Sequence, residues 1–168
     1  MKKNIVAVAL CLLLVGCGSG NGGSSNARRL TPAQMLQQVR AAGETGNELD
    51  VHPLRDPQIE DLRASAAGSE SRGDYVAAAA TLTKALAIAP NDPDLLQWQA
   101  ELALANKNWA LAEQLATRSF EKGPKLGGLC RRSWTTRQFA RQAMGNTANA
   151  AIAQQQIGKC AVMPPVRM

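Results

Sequence analysis

The segment Gly73–Pro90, which reads GDYVAAAATLTKALAIAP, returns 34 residues later as Lys107–Pro124, which reads KNWALAEQLATRSFEKGP. In both copies the third position holds an aromatic residue, the sixth holds an alanine and the last is a proline. An aromatic, a small residue and a proline that recur at one fixed period are typical of arrays in which each unit is a helical hairpin. The segment therefore predicts a stack of helical hairpins, with at least two units in tandem.

This pattern resembles the tetratricopeptide repeat, a helix-turn-helix unit of the same period. The resemblance implies an all-α solenoid of about 2.5–3 repeats over residues 57-160, in which each unit has a helix A and a helix B. Helices A are expected at about 57–72, 93–106 and 128–144, and helices B at about 74–89, 108–122 and 147–159.

The third unit departs from the regular period. Its turn, Gly145-Asn146, follows Lys107-Asn108 by 38 residues, so the unit carries about one additional helical turn. Terminal repeats are often atypical because they cap the stack. Phe139 and Met144 are expected among its buried residues.

The N-terminus indicates where the chain is sent. Lys2 and Lys3 precede a short apolar run, and the run ends in Leu14-Val15-Gly16-Cys17. This arrangement resembles a bacterial lipoprotein signal. The resemblance implies removal of residues 1-16, acylation of Cys17 with fatty acids such as palmitate, and a firm lipid anchor. Because Gly18 stands where retained lipoproteins often carry aspartate, it also implies the periplasmic side of the outer membrane. An ordinary secretory signal with an incidental cysteine is the alternative.

Three further segments flank the repeats. Residues 17-30 comprise the acylated cysteine and a glycine- and serine-rich flexible tether. Residues 31-56 are expected to form a short helix, capped by Thr31 and ending near Gly43, followed by a linker. Residues 161-168 contain two prolines and are predicted to be an extended tail.

Two cysteines remain after lipidation and signal removal, and they predict a disulfide. Cys130 lies fifteen residues before Gly145 and Cys160 fifteen after it. In an antiparallel hairpin that turns at Gly145, both would lie at the same height at the open end. A bridge there would contribute roughly 3.5 kcal/mol by restricting the unfolded chain. Two unpaired thiols are the alternative, which an oxidising compartment disfavours.

Composition and motifs argue against several classes of function. The formal charge of +6 falls to +4 on signal removal, since 19 − 2 = 17 basic residues face 13 acidic ones, and the basic residues lack the aromatic interleaving of a nucleic-acid platform. The only histidine, His52, has no partners at metal-ligand spacing. We find no triad, no phosphate loop and no paired acid and base. The sequence therefore predicts a protein that is not an enzyme, uses no cofactor or metal, and binds no nucleic acid.

Stacked hairpins present a curved surface, and the resemblance implies that helix A lines its concave face. An extended polar peptide or a partner helix would suit such a groove, although the same residues would also serve as ordinary solvated helix faces. The predicted groove residues are Glu60, Arg63, Glu70, Asp94, Gln97, Glu101, Arg132 and Thr135.

The leading hypothesis is a lipid-anchored periplasmic scaffold or adaptor that binds another envelope protein or peptide through this groove. One alternative is a structural envelope lipoprotein that contacts cell wall or lipid through its charge. The other is an accessory subunit of a cell-wall enzyme.

Overall fold

The computed structural model describes residues 30–46 and 55–162. Seven α-helices, and no strand, are found in these two ranges. The predicted signal, Cys17, the tether up to residue 29, His52 and the tail residues 163–168 lie outside them. The helices are α1 (Pro32–Glu44), α2 (Pro57–Ser71), α3 (Tyr75–Ile88), α4 (Pro93–Ala105), α5 (Trp109–Lys122), α6 (Gly127–Ala143) and α7 (Thr147–Gly158).

Short polar side chains define where the helices begin. An aspartate or asparagine oxygen accepts a hydrogen bond from the first turn of every helix from α2 to α5 and of α7. In α1, Thr31 and Gln34 form the reciprocal pair of hydrogen bonds of a capping box. Each such cap stabilises a helix by about 0.5–2 kcal/mol. The helix starts are thus encoded locally, which is why the predicted boundaries agree with the observed ones to within about two residues.

The helices form three hairpins, α2/α3, α4/α5 and α6/α7, and these stack in chain order through contacts of α3 with α4 and of α5 with α6. Ala66, Ala78, Ala100 and Ala112 are inaccessible to solvent. Alanines at these positions let the paired helices approach closely. The predicted all-α, tetratricopeptide-like solenoid is therefore confirmed.

The turn between the two helices of each hairpin uses one backbone conformation. Gly73, Lys107 and Gly145 occupy the same repeat position, and their φ angles are 76°, 62° and 78°. Glycine adopts this left-handed conformation without strain, whereas lysine does so at a cost. The middle hairpin therefore carries a residue that its own turn disfavours.

The third hairpin is closed at its open end by a disulfide. Cys130 and Cys160 are bonded, and their Cα atoms lie 5.6 Å apart. The backbone N–H of Gly127 also donates to the carbonyl of Cys160, at 2.7 Å. Phe139 is buried as expected, but Met144 is 43% exposed, because it follows the last residue of α6 and lies in the turn.

The N-terminal helix α1 is not an arm beside the stack but part of it. It packs on α4 and α6, and its side chains Leu36 and Val39 are buried. It runs antiparallel to α6, because its last turn meets the start of α6 while Val39 belongs to the cluster that contains Phe139 near the end of α6. Helix α1 thus fills the space between the helices A of the second and third units.

Candidate partner-binding groove

Helix α1 covers part of the concave face that the sequence predicts as an open groove. Gln97 and Glu101 are fully buried, and Thr135 is 5% exposed. The assignment of these three residues to a partner surface is therefore corrected. Gln97 and Glu101 lie in the interior between α1, α4 and α6, and Thr135 is buried on α6 where α1 and α7 come together. The physical reason is that the narrow apolar stripe of α1 needs a surface to cover, and the groove supplies one.

Glu101 is the centre of a polar network in that interior. Its carboxylate accepts hydrogen bonds from the Arg132 Nε at 2.8 Å, the Arg40 Nε at 3.2 Å and the Gln97 amide at 3.0 Å. The same amide nitrogen donates to the Thr136 hydroxyl at 2.9 Å. A buried carboxylate is tolerated only when it is paired and hydrogen-bonded in this way. Glu101 therefore ties α1 and α6 to α4.

Arg40 extends the network from α1 to α2. Its guanidinium lies 2.7 Å from the Glu70 carboxylate, which also accepts a hydrogen bond from the Trp98 indole N–H at 2.8 Å. Burial acts to lower the pKa of Arg40, but hydrogen bonds and the charges of Glu70 and Glu101 outweigh it, so the pKa is raised above its ordinary value. Arg40 is thus a permanent cation shared by two carboxylates.

The end of α1 is held by α6. The Arg131 guanidinium donates to the backbone carbonyls of Ala42 at 2.9 Å and Gly43 at 3.3 Å. These are carbonyls of the last helical turn, which have no partner within the helix and favour a cation. Beside them, a Cβ atom added to Gly128 would lie 2.6 Å from the carbonyl oxygen of Gly43. Only glycine permits α1 and α6 to approach this closely.

An open cleft remains beside α1, and we call it the groove cavity. It has a volume of about 780 Å³ and lies between α1, α2, α4 and the first turns of α6. Four of the eight predicted groove residues line it: Arg63, Glu70, Asp94 and Arg132. Its apolar wall includes Leu36, Ala67, Trp98 and Leu129. The structure thus places half of the predicted set around one cavity.

The remaining predicted residue, Glu60, lies near Arg63 but not in the cavity wall. Its carboxylate is 3.7 Å from the Arg63 Nε and 3.9 Å from the Arg55 Nη1, and its side chain is 51% exposed. Arg55 also pairs with Asp94 and, at 3.1 Å, with Asp92. Burial acts to lower the pKa of Arg55, and these carboxylates raise it above its ordinary value. Asp94 therefore already has a cationic partner, which it shares with Asp92.

A smaller cavity of about 490 Å³ lies on the other side of α1, against α6 and α7. Thr135 borders it, and the Thr135 hydroxyl donates to the Arg131 carbonyl at 2.8 Å. Its walls are otherwise alanines, glutamines, Phe139, Ile157 and Gly158. The position of this cavity depends on where α1 docks, so it cannot be predicted from the sequence alone.

Residues 30–46 and 55–162 contain neither a metal-binding cluster nor a membrane-spanning helix. No group of three or more histidine, cysteine, aspartate or glutamate side chains in these ranges is arranged to hold a metal ion. None of the helices described in them has the length and apolar character needed to span a bilayer.

Comparison with known proteins agrees with this architecture. A family model described as the tetratricopeptide repeat matches residues 71–125. The solved globular C-terminal domain of P. aeruginosa LpoP is 32% identical in sequence and superimposes with a TM-score of 0.57 over 62% of this chain and 99% of that domain. This chain belongs to the tetratricopeptide-repeat family. No curated protein sequence matches it.

Three residues that shape the groove of this tetratricopeptide-repeat chain were not predicted from its sequence. Arg40 and Arg131 hold α1 in place, and Gly128 lets it dock. Leu36 and Val39 form the apolar stripe by which α1 docks, but a periodic stripe does not name the surface that buries it.

Proposed function

We propose that this chain is a lipid-anchored scaffold of the bacterial envelope, without catalytic activity, that binds another envelope protein or a peptide from one in the groove cavity. The observation that carries the proposal is the cavity itself, an open cleft of about 780 Å³ on the concave face of a repeat stack. Specific ligand sites typically have volumes of about 300–1,000 Å³ and combine apolar walls with a few polar groups. The groove cavity has both, in Leu36, Ala67 and Leu129 and in its arginines.

The anchor belongs to the same proposal. Acylation of Cys17 would hold the chain on the periplasmic side of the outer membrane, and residues 17-30 would tether it with a mean reach of roughly 20 Å. Residues 57-160 would form the repeat domain, with the helix in 31-56 closing part of its groove. Mass spectrometry of the mature N-terminus tests the anchor, because an unmodified Cys17 would contradict it.

Photocrosslinking in intact cells tests the binding site. A photoreactive amino acid replaces Ala67, which lines the groove cavity and is exposed, and a matched variant replaces Ala80, which is exposed on α3 outside it. We expect a discrete crosslinked protein from position 67 and not from position 80.

The same experiment separates the alternatives. Equal capture of one protein from both positions would refute the groove assignment. Capture of cell-wall material without a protein would favour the structural component that contacts the wall. A captured cell-wall enzyme would identify the chain as an accessory subunit, which is one form of the scaffold proposed here.

A further inference from the structure

The groove cavity contains one arginine that has no close carboxylate. Arg40 and Arg132 each lie 2.7 Å from a glutamate oxygen. Arg63, by contrast, has only the half-exposed Glu60 at 3.7 Å, and it donates no hydrogen bond to any group in residues 30–46 and 55–162. Its Nη1 atom is shielded from solvent and has no partner. Because a guanidinium carries five donors and an unsatisfied buried donor is costly, Arg63 is prepared for an acceptor from outside.

The orientation of Arg63 is set by an aromatic ring. Its guanidinium carbon lies 5.3 Å from the centre of the Trp98 ring, and the Trp98 indole is itself held by Glu70 at 2.8 Å. A guanidinium that lies over an aromatic face directs its N–H donors outward in its own plane, toward an acceptor. Arg63 is therefore held in place by Trp98 before any ligand binds.

The neighbouring groove shows how this fold fills such a space. Helix α1 lies between α4 and α6 and brings the guanidinium of Arg40 to Glu101. Arg63 and Ala67 lie one repeat, or 34 residues, before Gln97 and Glu101 and occupy the corresponding positions of the first unit. The groove between α2 and α4 thus has a cation and a small residue in place of an amide and a carboxylate. At these two positions the charge offered to an occupant changes from negative to positive, and Glu44, Glu70 and Asp94 line the rest of the same cavity.

The groove between α2 and α4 is also the wider one. Helices α4 and α6 have Cα atoms within 8 Å of each other, whereas α2 has none within that distance of α4 or of α1. Only side chains span the gap, among them the ion pair of Arg40 with Glu70.

We propose that the groove cavity receives an amphipathic helix of the partner, which presents a carboxylate to Arg63 and small apolar side chains to the wall of Leu36, Ala67 and Leu129. This inference rests on the proposed function and specifies the chemistry of the partner. A second copy of α1 does not meet the requirement, because it would bring Arg40 against Arg63. Like charges at such a distance repel.

Two synthetic peptides test the charge requirement. Both have the sequence of residues 31–45, and one carries Arg40→Glu. Each is titrated into the full mature chain, labelled with ¹⁵N, while the three tryptophan indole signals are followed. Trp98 lines the groove cavity, Trp109 packs against the cluster that contains Val39, and Trp134 lies outside both. We expect the glutamate peptide to shift the Trp98 signal and to bind about tenfold more tightly than the arginine peptide.

Variants of the chain assign that preference to Arg63. Arg63→Gln should remove the preference and Arg63→Glu should reverse it, whereas Lys84→Glu, the same charge change on an exposed position of α3, should leave it intact. Thermal unfolding checks that the variants fold. If Arg63→Glu does not fold, the peptide preference measured with Arg63→Gln decides the assignment alone.

Several results would overturn the inference. These are equal affinity for the two peptides, a preference that persists in Arg63→Gln, or binding that shifts Trp109 and not Trp98. Tighter binding of the arginine peptide would point instead to self-association. If position 67 still captures a protein in cells while the peptides show no preference, the charge assignment is wrong and the proposed function stands. If position 67 captures no protein and the peptides show no preference, the proposed function and the charge assignment are both wrong.

Discussion

Gly128→Ala should loosen α1 from the groove. The added Cβ atom would lie 2.6 Å from the carbonyl oxygen of Gly43, and real Cβ contacts essentially never fall below 3.0 Å, so the backbones must separate by at least 3.0 − 2.6 = 0.4 Å. The obstacle is backbone and not a flexible side chain, so it does not rotate away. The shift also stretches the hydrogen bonds of Arg131 to the end of α1.

The magnitude follows from two opposing effects. Overpacking of an interior contact typically costs about 1–3 kcal/mol. Alanine in a helix is favoured over glycine by roughly 0.5–1 kcal/mol, which offsets part of that cost. We therefore expect Gly128→Ala to lower the free energy of unfolding, or of local release of α1, by about 1–2 kcal/mol.

Gly68→Ala is the matched control. Gly68 lies inside α2, and the nearest atom to an added Cβ is the Arg72 Nη1 at 3.7 Å, an ordinary contact. The same chemical change should there raise the free energy of unfolding by roughly 0.5–1 kcal/mol, because only the helix preference acts. The two variants should thus move stability in opposite directions.

Urea unfolding and amide hydrogen exchange measure these effects. A loss of 1–2 kcal/mol in the docking of α1 corresponds to about five- to thirtyfold faster exchange at Val39, with smaller changes in α5. If Gly128→Ala exchanges at Val39 as slowly as the unmodified chain and unfolds at the same urea concentration, the close approach of α1 and α6 does not exist as described.

Three other substitutions probe the interior, the disulfide and the turn. Glu101→Gln should cost about 2–3 kcal/mol in urea unfolding because it removes the buried carboxylate shared by two partly exposed arginines, whereas Glu113→Gln, at a partly exposed ion pair, should cost less than about 1 kcal/mol; similar losses at both would contradict the burial of Glu101. Reduction of the Cys130–Cys160 disulfide, which closes 30 residues, should cost roughly 3.5 kcal/mol, and an unchanged urea midpoint with reductant would argue against the bridge. Lys107→Gly should stabilise the middle hairpin by about 0.5–1 kcal/mol because it relieves a φ of 62°, and a lower melting temperature would refute that reasoning.

The repeat stack follows from the sequence because its determinants are local. The determinants are a 34-residue period, an aromatic at the start of helix B in the first two units, alanines at the helix contacts and a side-chain cap at the start of every described helix except α6. All of them act within one hairpin or between neighbours. The disulfide is predictable for the same reason: the two cysteines are equally spaced about the turn at Gly145, so hairpin geometry alone brings them together.

The groove was only half predictable. Arg63, Glu70, Asp94 and Arg132 do line one cavity, as positions on helix A imply. Gln97 and its neighbours in the buried network do not, because α1 occupies their part of the concave face. No sequence pattern in α1 distinguishes a free arm from a docked helix, since both carry the same amphipathic stripe.

The sequence by itself determined that this chain is an array of helical hairpins with one disulfide, since periodicity, capping residues and cysteine spacing act over short stretches of chain. Tertiary structure alone decided which part of the concave face stays open. That outcome depends on hydrogen bonds from Arg131 to the last carbonyls of α1, whose residues lie 88 and 89 positions away in the sequence. It also depends on the close approach of the Gly43 and Gly128 backbones. Such long-range pairings leave no local signature, because neither partner's own segment needs the other in order to be helical.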